Sequence, residues 1–327
     1  MSKKGLNVLK YFLAGLLTAA LVYLALREMD WDAFGKAFKD TSWGWVLGSL
    51  AFAFLALVLR TERWRALMLP INKDIKRKTL WDACNVGNLF SLVIPWMSFL
   101  VRCGVVSDKK SPYDKTVGTI IMERAWDMLM VAVLIILAII LKSAEITQWF
   151  IENIAMKVAG RFSLSLSGVI VAVILAVGML LFLCFKFRDR NVVAGKIASW
   201  TEGIFEGFKT FGKAEHKGLF ILYTVGIWIS YVMMCLCTFK AIPILSGLDF
   251  TDALFISIVG NLSSLLPVPG GFGAYHYAVA VALSSLYGAE WEIGILFATL
   301  THETRALMLV ALGAISMISS QKRIKIQ

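Results

Sequence analysis

The sequence predicts an all-α integral membrane protein with six transmembrane helices and two re-entrant helical hairpins, arranged as an inverted repeat with both termini in the cytoplasm. Three observations predict this fold: an apolar composition, two broken apolar segments, and basic residues confined to alternate loops. Of the 327 residues, 58% are hydrophobic and 17% are charged, whereas soluble domains contain about 45–50% and 25%. This composition excludes a soluble core, a disordered chain, a disulfide scaffold and a nucleic-acid-binding module.

Six apolar segments are long enough to cross the hydrocarbon core, which takes roughly 20 residues. They are residues 9–26, 43–60, 120–141, 166–186, 218–239 and 292–317. The first segment follows Lys3 and Lys4 but lacks a small-residue cleavage site after it. We therefore expect a retained first span rather than a signal peptide.

Two further apolar segments, 83–101 and 253–287, are interrupted. Pro95 breaks the first, and the run Pro267-Val-Pro269-Gly-Gly breaks the second. Proline removes a backbone donor and glycine has a low helix propensity, so both segments are predicted to be broken helices. Broken backbone at membrane depth is tolerated only where it is buried in protein or lines a cavity.

Loop charge predicts the orientation, because Lys and Arg accumulate on the cytoplasmic side. The net charge is +11, and the basic residues concentrate in particular segments. These segments are the N-terminus, 61–82, 102–117, 187–217 and the C-terminus, whereas 142–165, 240–252 and 288–292 contain few basic residues. All basic segments share one side only if both broken segments are re-entrant, which places both termini in the cytoplasm and the chain in the cell membrane.

The chain is predicted to form one membrane domain, 1–327, built from two inverted halves, 1–142 and 143–327. The hairpins share a motif: Gly87-Asn-Leu-Phe-Ser-Leu92 matches Gly260-Asn-Leu-Ser-Ser-Leu265 at five of six positions. Chance similarity between apolar helices is the alternative. Inverted repeats around broken helices are typical of secondary transporters, although a static scaffold could share the fold. Residues 196–211 are predicted to form an amphipathic helix at the cytoplasmic interface.

Charged residues interrupt two of the predicted spans. They are Glu123-Arg124-Ala-Trp-Asp127 and His302-Glu303-Thr-Arg305. A charge at the bilayer centre costs about 2.5–3.5 kcal/mol, so such residues are paired, face inward and are usually functional. Structural ion pairing is the alternative for both clusters. Arg60 to Arg65 is predicted to anchor a span at the interface, with contact to lipid phosphate as the alternative.

The sharpest local signal is Pro267 to Gly273. A helix that restarts at Gly270 would present free N–H groups, to which a headgroup phosphate could come close because Gly270 and Gly271 have no side chains. His276 follows on the first turns and could bind an anion or titrate, or could be structural. A tight turn without a ligand is the alternative. The residues Pro95, Pro267, Pro269 and Gly273 are candidate hinges.

These motifs resemble the lysylphosphatidylglycerol synthase transmembrane family, which includes the flippase half of the multiple peptide resistance factor. The resemblance rests on Arg-x-x-Arg-Trp-Arg at 60–65, Asn88 to Pro95, Glu123-Arg124-x-x-Asp127 and Pro-x-Pro-Gly-Gly-Phe-Gly at 267–273. It implies a membrane protein that moves a polar lipid between leaflets. His276 stands where the family often has an acidic residue, the usual Gly-Glu pair before Arg102 is missing, and no aminoacyltransferase domain follows.

The function expected from this resemblance is a lipid flippase, not an enzyme, whose partner is a membrane phospholipid or polyprenyl lipid. Headgroup contact is assigned to the second half, and a gate or charge pair to the first. The headgroup residues are Arg305, Glu303, His302, His276, Gly270, Gly271 and Asn261; the gate residues are Glu123, Arg124, Asp127, Arg102 and Asn88. A scaffold or assembly factor is the alternative, and an intramembrane transferase is disfavoured because no paired acidic metal-binding motif occurs. No metal, cofactor, nucleic acid or nucleotide is expected, since there is no phosphate loop; a homo-oligomer is possible.

Overall fold

A computed structural model of the chain describes residues 3–27, 29–94, 97–141, 186, 217–263, 266 and 268–324. Nearly all of the predicted span 166–186 lies outside these residues, as does the predicted interfacial helix 196–211. The candidate hinges Pro95 and Pro267 also lie outside them.

All regular secondary structure among the described residues is helical. They form ten α-helices: α1 Lys3–Leu26, α2 Trp31–Lys39, α3 Trp43–Met68, α4 Arg77–Val93, α5 Met97–Val106, α6 Tyr113–Leu141, α7 Lys217–Ala241, α8 Phe250–Ser263, α9 Ala274–Tyr287 and α10 Trp291–Ile324. Two short 3-10 turns cover Pro243–Leu245 and Pro269–Gly271. The predicted all-α class is therefore confirmed for the part of the chain that the structure describes.

Within the part of the chain that the structure describes, three helices are long and apolar enough to cross a membrane by length and composition: α3, α7, and α10 over Trp291–Ser319. They coincide with the predicted spans 43–60, 218–239 and 292–317. Helices α1 and α6 cover two more predicted spans, 9–26 and 120–141. A multi-pass membrane protein is the fold class that these apolar helices indicate; the total of six spans and their orientation remain predictions.

The segment between α1 and α3 was predicted to be a loop but contains α2. Asp30 caps this helix, because its carboxylate accepts hydrogen bonds from the backbone N–H groups of Asp32 and Ala33, at 2.9 and 3.0 Å. Phe34 and Phe38, one turn apart, stack with their ring centroids separated by 6.3 Å. Helix α2 has only nine residues, and its apolar face packs on neighbouring helices. Its apolar sequence is therefore too short to be recognised as a span.

Each broken segment forms a pair of packed helices, α4 with α5 and α8 with α9. The shared glycines of the repeated motif lie where the two arms touch. A Cβ atom on Gly87 would lie 2.9 Å from Ser98 Oγ, and one on Gly260 would lie 2.5 Å from Tyr275 Cε2. The glycines therefore allow both pairs of arms to pack closely, as the repeat predicts.

The second break differs from the prediction in one respect, because α9 begins at Ala274 and not at Gly270. Gly270, Gly271 and Gly273 all have positive φ angles, between 60° and 79°. Such angles are incompatible with a right-handed helix, so the helix cannot restart until the glycines have ended.

The loops at the two ends of the first hairpin are joined to each other. Asn72 Nδ2 donates to Ser111 Oγ at 2.9 Å, and Lys110 Nζ lies 2.7 Å from Asp74 Oδ2. The hydrogen bond from the Lys110 ammonium, together with its charge, lowers the pKa of Asp74. This exposed pair contributes little to stability, but it shows that the chain enters and leaves the hairpin at the same end of the bundle.

Two apolar cores hold the bundle together. The smaller core lies among α3 to α6 and is built around Trp64, Met68 and Leu80. The larger core is formed mainly by α7 to α10 and includes Phe239 and Phe297, whose ring centroids are 5.0 Å apart. The halves interlock, since α7 packs along α3 and α10 packs against α4.

The buried cysteines of these cores carry free thiols. They are Cys84, Cys103, Cys235 and Cys237. Cys184 lies outside the described residues.

Candidate functional site

Glu123 is the centre of a buried charge cluster beside the first hairpin. Its carboxylate accepts two hydrogen bonds from the guanidinium of Arg102, at 2.6 and 3.3 Å. Arg63 lies 3.2 Å and Arg60 lies 3.6 Å from the same carboxylate. The side chain of Glu123 is 0% exposed, so three guanidiniums surround one carboxylate that has no contact with water.

Three helices bring this cluster together. Arg60 and Arg63 are one turn apart near the end of α3 and share a face, while α5 supplies Arg102 and α6 supplies Glu123. The Arg102 guanidinium lies 4.1 Å from the ring centroid of Trp64, a cation–π contact that fixes its position. The first hairpin is therefore fastened to α3 and α6 through its charged residues.

The cluster carries more positive than negative charge. Arg63 also binds Asp127 at 2.7 Å, and Arg124 lies 4.0 Å from the other oxygen of that carboxylate. Four arginines (Arg60, Arg63, Arg102 and Arg124) thus meet two carboxylates (Glu123 and Asp127), so the cluster has a net charge of +2. Arg60 and Arg124 are 20% and 49% exposed, so the excess positive charge lies at the partly exposed edge of the cluster, where it favours an anion.

A narrow cleft, partly open to the outside, adjoins the cluster; its enclosed space is about 10 Å³, roughly that of a single water molecule. Its lining residues are Leu57, Arg60, Cys84, Asn85, Asn88, Arg102 and Glu123. Two polar atoms in this lining, Asn85 Oδ1 and Arg102 Nε, are buried without a hydrogen-bond partner. Arg102, whose side chain is 4% exposed, therefore presents an unused donor at a cleft in which positive charge is in excess.

A second charge cluster lies beside the second hairpin. Glu303 on α10 binds two imidazoles: its Oε2 is 2.9 Å from His276 Nε2, and its Oε1 is 3.0 Å from His302 Nδ1. His276 is the third residue of α9 and His302 directly precedes Glu303. The three side chains are 13–29% exposed. Sequence analysis predicted both parts of this cluster but not the His276–Glu303 contact that joins them.

Aromatic rings and the glycine turn enclose the two histidines. The ring centroids of Phe272 and Tyr275 lie 5.3 and 5.1 Å from that of His302. A Cβ atom on Gly271 would lie 3.4 Å from His302 Nε2, so the turn passes directly over the imidazole. The turn therefore shields the cluster from one side.

The two clusters occupy corresponding places in the repeat. Arg102 follows the motif glycine Gly87 by 15 residues, and His276 follows Gly260 by 16 residues. Each lies on the second arm of its hairpin and binds a carboxylate on the long helix that follows, Glu123 or Glu303. The two helix pairs thus share one arrangement with different chemistry, a guanidinium on α5 and an imidazole on α9.

Tyr231 on α7 links Arg305 of α10 to Arg60 at the cleft. Its hydroxyl lies 3.5 Å from Arg60 Nη1, and the Arg305 guanidinium lies 5.6 Å from the centroid of its ring. The chain of contacts runs from Arg305 on α10 through Tyr231 to Arg60 on α3, which borders the cleft. A tyrosine within an apolar span has no feature that identifies it from sequence.

Two residues that were predicted to anchor α3 at the interface are instead buried in the protein. Arg63 and Trp64 are both 0% exposed, so the anchor interpretation is wrong for them. The spacing of Arg60 and Arg63 at the end of an apolar span was a signal for a shared functional face. Arginines next to a tryptophan, as in Arg63-Trp64-Arg65, are equally typical of an interfacial belt. The sequence alone therefore did not distinguish a buried functional face from an interfacial anchor.

The remaining predicted residues have diverse positions. Asn88 lines the cleft, whereas the amide of Asn261 donates to the backbone carbonyl of Ser257 at 2.7 Å. Pro269 and Gly270 belong to the 3-10 turn that packs against α4. Gly273 is the residue before the first turn of α9. Among the described residues, no group of three His, Cys, Asp or Glu side chains could hold a metal ion.

Comparisons with known proteins give one match. A family model described as "Lysylphosphatidylglycerol synthase TM region" matches residues 11–313, which is nearly the whole chain. Neither the comparison with curated proteins nor that with solved structures gives a match.

Proposed function

Because the chain belongs to the lysylphosphatidylglycerol synthase TM region family, we propose that it moves a polar or anionic lipid between the leaflets of the cytoplasmic membrane. The family model covers a transmembrane region, and no synthase domain is matched in this chain. The proposed activity is therefore transport and not catalysis. The arginine-rich cleft beside Glu123 is the observation that carries the proposal.

Charge and burial favour a phosphate group as the ligand of this cleft. Its net positive charge attracts an anion, and arginine is well suited to phosphate because its planar guanidinium donates several parallel hydrogen bonds. The enclosed space is only about 10 Å³ in the described conformation, so we propose that a headgroup enters when the helices that line the cleft move apart. The lipid tails would remain in the bilayer while the headgroup phosphate lies near Arg60, Arg102 and Asn88.

The architecture supports movement between leaflets. We propose that both hairpins are re-entrant, that 1–142 and 143–327 are inverted halves, and that both termini lie in the cytoplasm. The joined loops around Asn72 and Ser111 support this for the first hairpin. The hairpins also approach each other: a Cβ atom on Gly270 would lie 3.1 Å from the carbonyl oxygen of Leu92. Substrate sites of inverted-repeat transporters lie at such a junction.

We propose that the second cluster contacts the headgroup in a later part of its path between the leaflets. Arg305 provides a cation there, and Tyr231 links it to Arg60 at the cleft. A phospholipid and a polyprenyl phosphate both carry the phosphate that this chemistry requires.

The proposal is tested by reconstituting the purified protein into vesicles. Fluorescent phosphatidylglycerol, phosphatidylcholine and undecaprenyl phosphate are compared by the fraction of label that a membrane-impermeant quencher can reach. We expect a phosphate-bearing anionic lipid to move faster than in protein-free vesicles. Arg60→Gln should slow it about tenfold or more, because a hydrogen bond to a charged group contributes about 1.5–3 kcal/mol.

Arg77→Gln is the matched control. Arg77 is an exposed arginine that binds Glu62 at 3.1 Å outside the cleft, so lipid movement should remain within about twofold of wild type. If folded wild-type protein moved no lipid faster than empty vesicles, or if both variants behaved alike, the proposal would be contradicted and a role as membrane scaffold favoured.

The contacts of Tyr231 with Arg60 and Arg305, here called the tyrosine bridge, predict a graded loss of lipid movement. Tyr231→Phe keeps the ring beneath Arg305 but removes the hydroxyl that accepts a long hydrogen bond, 3.5 Å, from the Arg60 guanidinium. A hydrogen bond of this length is weak, about 0.5–1 kcal/mol, so we expect lipid movement to slow about two- to fivefold. Tyr231→Leu also removes the cation–π contact, worth about 0.5–2 kcal/mol, and should be slower again. Tyr223→Phe, about two turns earlier on α7, is the control. Equal rates for all three variants would exclude a functional bridge.

A further inference from the structure

The two corresponding clusters differ in whether their charge can change. Arg102 pairs with Glu123 in the first half, and arginine cannot be deprotonated in proteins. His276 pairs with Glu303 in the second half, and histidine ordinarily changes charge between about pH 5 and 8. The second cluster contains a further imidazole, His302, on the same carboxylate. The pair in the first half therefore has a fixed charge. The second half has three side chains, His276, Glu303 and His302, whose total charge can change.

The hydrogen bonds identify the atoms that can accept a proton. With Glu303 ionised and both rings neutral, His276 Nε2–H and His302 Nδ1–H each donate to one carboxylate oxygen. The free lone pairs are then on His276 Nδ1 and His302 Nε2. The cluster has a charge of −1 in this state, 0 after it binds one proton and +1 after it binds two.

The described conformation suits the neutral form of His276. Its Nδ1 atom is buried and has no hydrogen-bond partner, so protonation would bury an N–H group without an acceptor. An unsatisfied buried donor costs about 1–3 kcal/mol, and more when it is charged. A protonated His276 is therefore stabilised by any arrangement of the hairpin in which Nδ1 reaches an acceptor, and proton binding shifts the population toward that arrangement.

The surrounding elements contribute few other charges. Helix α9 itself adds Tyr275, and α10 adds Arg305, whose guanidinium lies over Tyr231 and not on Glu303. Helix α7 contributes Tyr231 and the buried thiol of Cys235, while Arg60 of α3 reaches Tyr231.

The other neighbouring helices present mainly uncharged groups to the cluster. Helix α8 brings Gly260 against Tyr275, α1 brings Val22 against Gly273, and α4 brings the Leu92 carbonyl against Gly270. Asp82 of α4 faces Ser319, about four turns along α10 from Glu303. Arg305, two residues after Glu303 on α10, is a fixed positive charge near the cluster, and the protons bound by the cluster decide the sign of its own charge.

We propose that His276, Glu303 and His302 form a proton-binding site through which lipid movement is coupled to a proton. A proton taken up at His276 Nδ1 on one side of the membrane favours a second arrangement of the hairpin, and its release on the other side restores the first. This inference rests on the proposed transport function for its consequence, but the proton site itself does not depend on the identity of the lipid.

The proton site is tested first without any lipid cargo. Protein labelled with ¹⁵N-histidine is placed in lipid nanodiscs, and the imidazole nitrogen resonances are followed from about pH 5 to 8. The chain has three histidines, His216, His276 and His302. His276→Gln and His302→Asn assign the signals and place a neutral amide donor where Nε2 or Nδ1 had been; His216→Gln is the control.

We expect at least one of the two cluster rings to gain a proton in this range, and replacement of either ring to shift the titration midpoint of the other. His216→Gln should leave both midpoints unchanged. If both rings stayed neutral throughout, or if they titrated independently of each other, the proposed site would be overturned.

The coupling is tested in vesicles with a pH difference across the membrane. The end-point distribution of fluorescent phosphatidylglycerol is compared, not the rate. Coupling of one lipid to one proton shifts this distribution by up to about tenfold for each pH unit. His276→Gln should show no shift, whatever its rate.

The two tests separate the two proposals. If the wild-type protein moved lipid but the end-point distribution of that lipid did not change with the pH difference, the coupling would be overturned. Absence of lipid movement would contradict the transport function, and the histidine titration would then still decide whether the proton site exists.

Discussion

Replacement of Glu123 by glutamine is expected to lower the free energy of unfolding by about 3–5 kcal/mol, because removal of one partner from a buried ion pair leaves the other charge uncompensated. The effect should lie at the upper end of that range. The one carboxylate interacts with three guanidiniums, from Arg60, Arg63 and Arg102, and a neutral amide would leave all of them with Asp127 as the nearest negative charge. Lipid movement should be lost with the geometry of the cleft.

Thermal unfolding can be followed through the chain's own thiols. Cys84, Cys103, Cys235 and Cys237 are buried, so a thiol-reactive fluorophore labels them as the protein opens. Glu62→Gln is the matched control: Glu62 pairs with Arg65 and Arg77 on a more exposed face, and we expect a loss below about 1 kcal/mol. The double variant Arg102→Gln/Glu123→Gln should lose less than the two single losses added together. Strictly additive losses would show that the pair is not coupled.

The hairpins could be predicted from sequence because their signals are local. Pro95, the Pro-Gly-Gly run and the repeated Gly-Asn-Leu motif each state a backbone or packing requirement within a few residues. The paired, inward-facing positions of Glu123 and Glu303 could also be predicted, because a charge in an apolar span has a high desolvation cost. In each of these cases the physical cause lies within a single helix or turn.

Partners between helices could not be predicted in the same way. The contact of His276 with Glu303 joins residues 27 positions apart, and Arg63 meets Asp127 across 64 positions. Tyr231 and Trp64 acquire their roles only from the packing of α7 and α5 against α3. Arginines at the end of an apolar helix are equally typical of an interfacial anchor, and only their burial separates the two possibilities.

The start of α9 shows why one element was misplaced. Sequence rules place a helix start directly after proline, and the chain offers Pro269. Glycine, however, permits positive φ, and in this turn Gly270 and Gly273 both use it. The consequence for the site is direct, because the delayed start puts His276 on the first turn of α9, where it meets Glu303.

Replacement of Gly273 by alanine should lower the free energy of unfolding by about 2–6 kcal/mol, from two separate causes. The residue has φ 79° and ψ −49°, a conformation that costs a residue with a side chain about 1–3 kcal/mol. A Cβ atom would also lie 2.8 Å from the backbone nitrogen of Val22 on α1, and such overpacking costs about 1–3 kcal/mol. Because Gly273 accepts the hydrogen bond from Tyr277 N–H at 2.8 Å, its displacement would move the first turn of α9 and with it His276.

Gly288→Ala separates the two causes. Gly288 also has a positive φ, 64°, but a Cβ atom there would meet nothing within 4 Å, so only the backbone cost of about 1–2 kcal/mol applies. Both variants are compared by thiol labelling on heating, and the histidine resonances report whether His276 remains on Glu303. We expect Gly273→Ala to lose more stability and to shift the His276 signal, whereas Gly288→Ala should leave that signal unchanged. Equal losses for the two variants would show that the close approach to α1 contributes nothing and that the turn is held by backbone conformation alone.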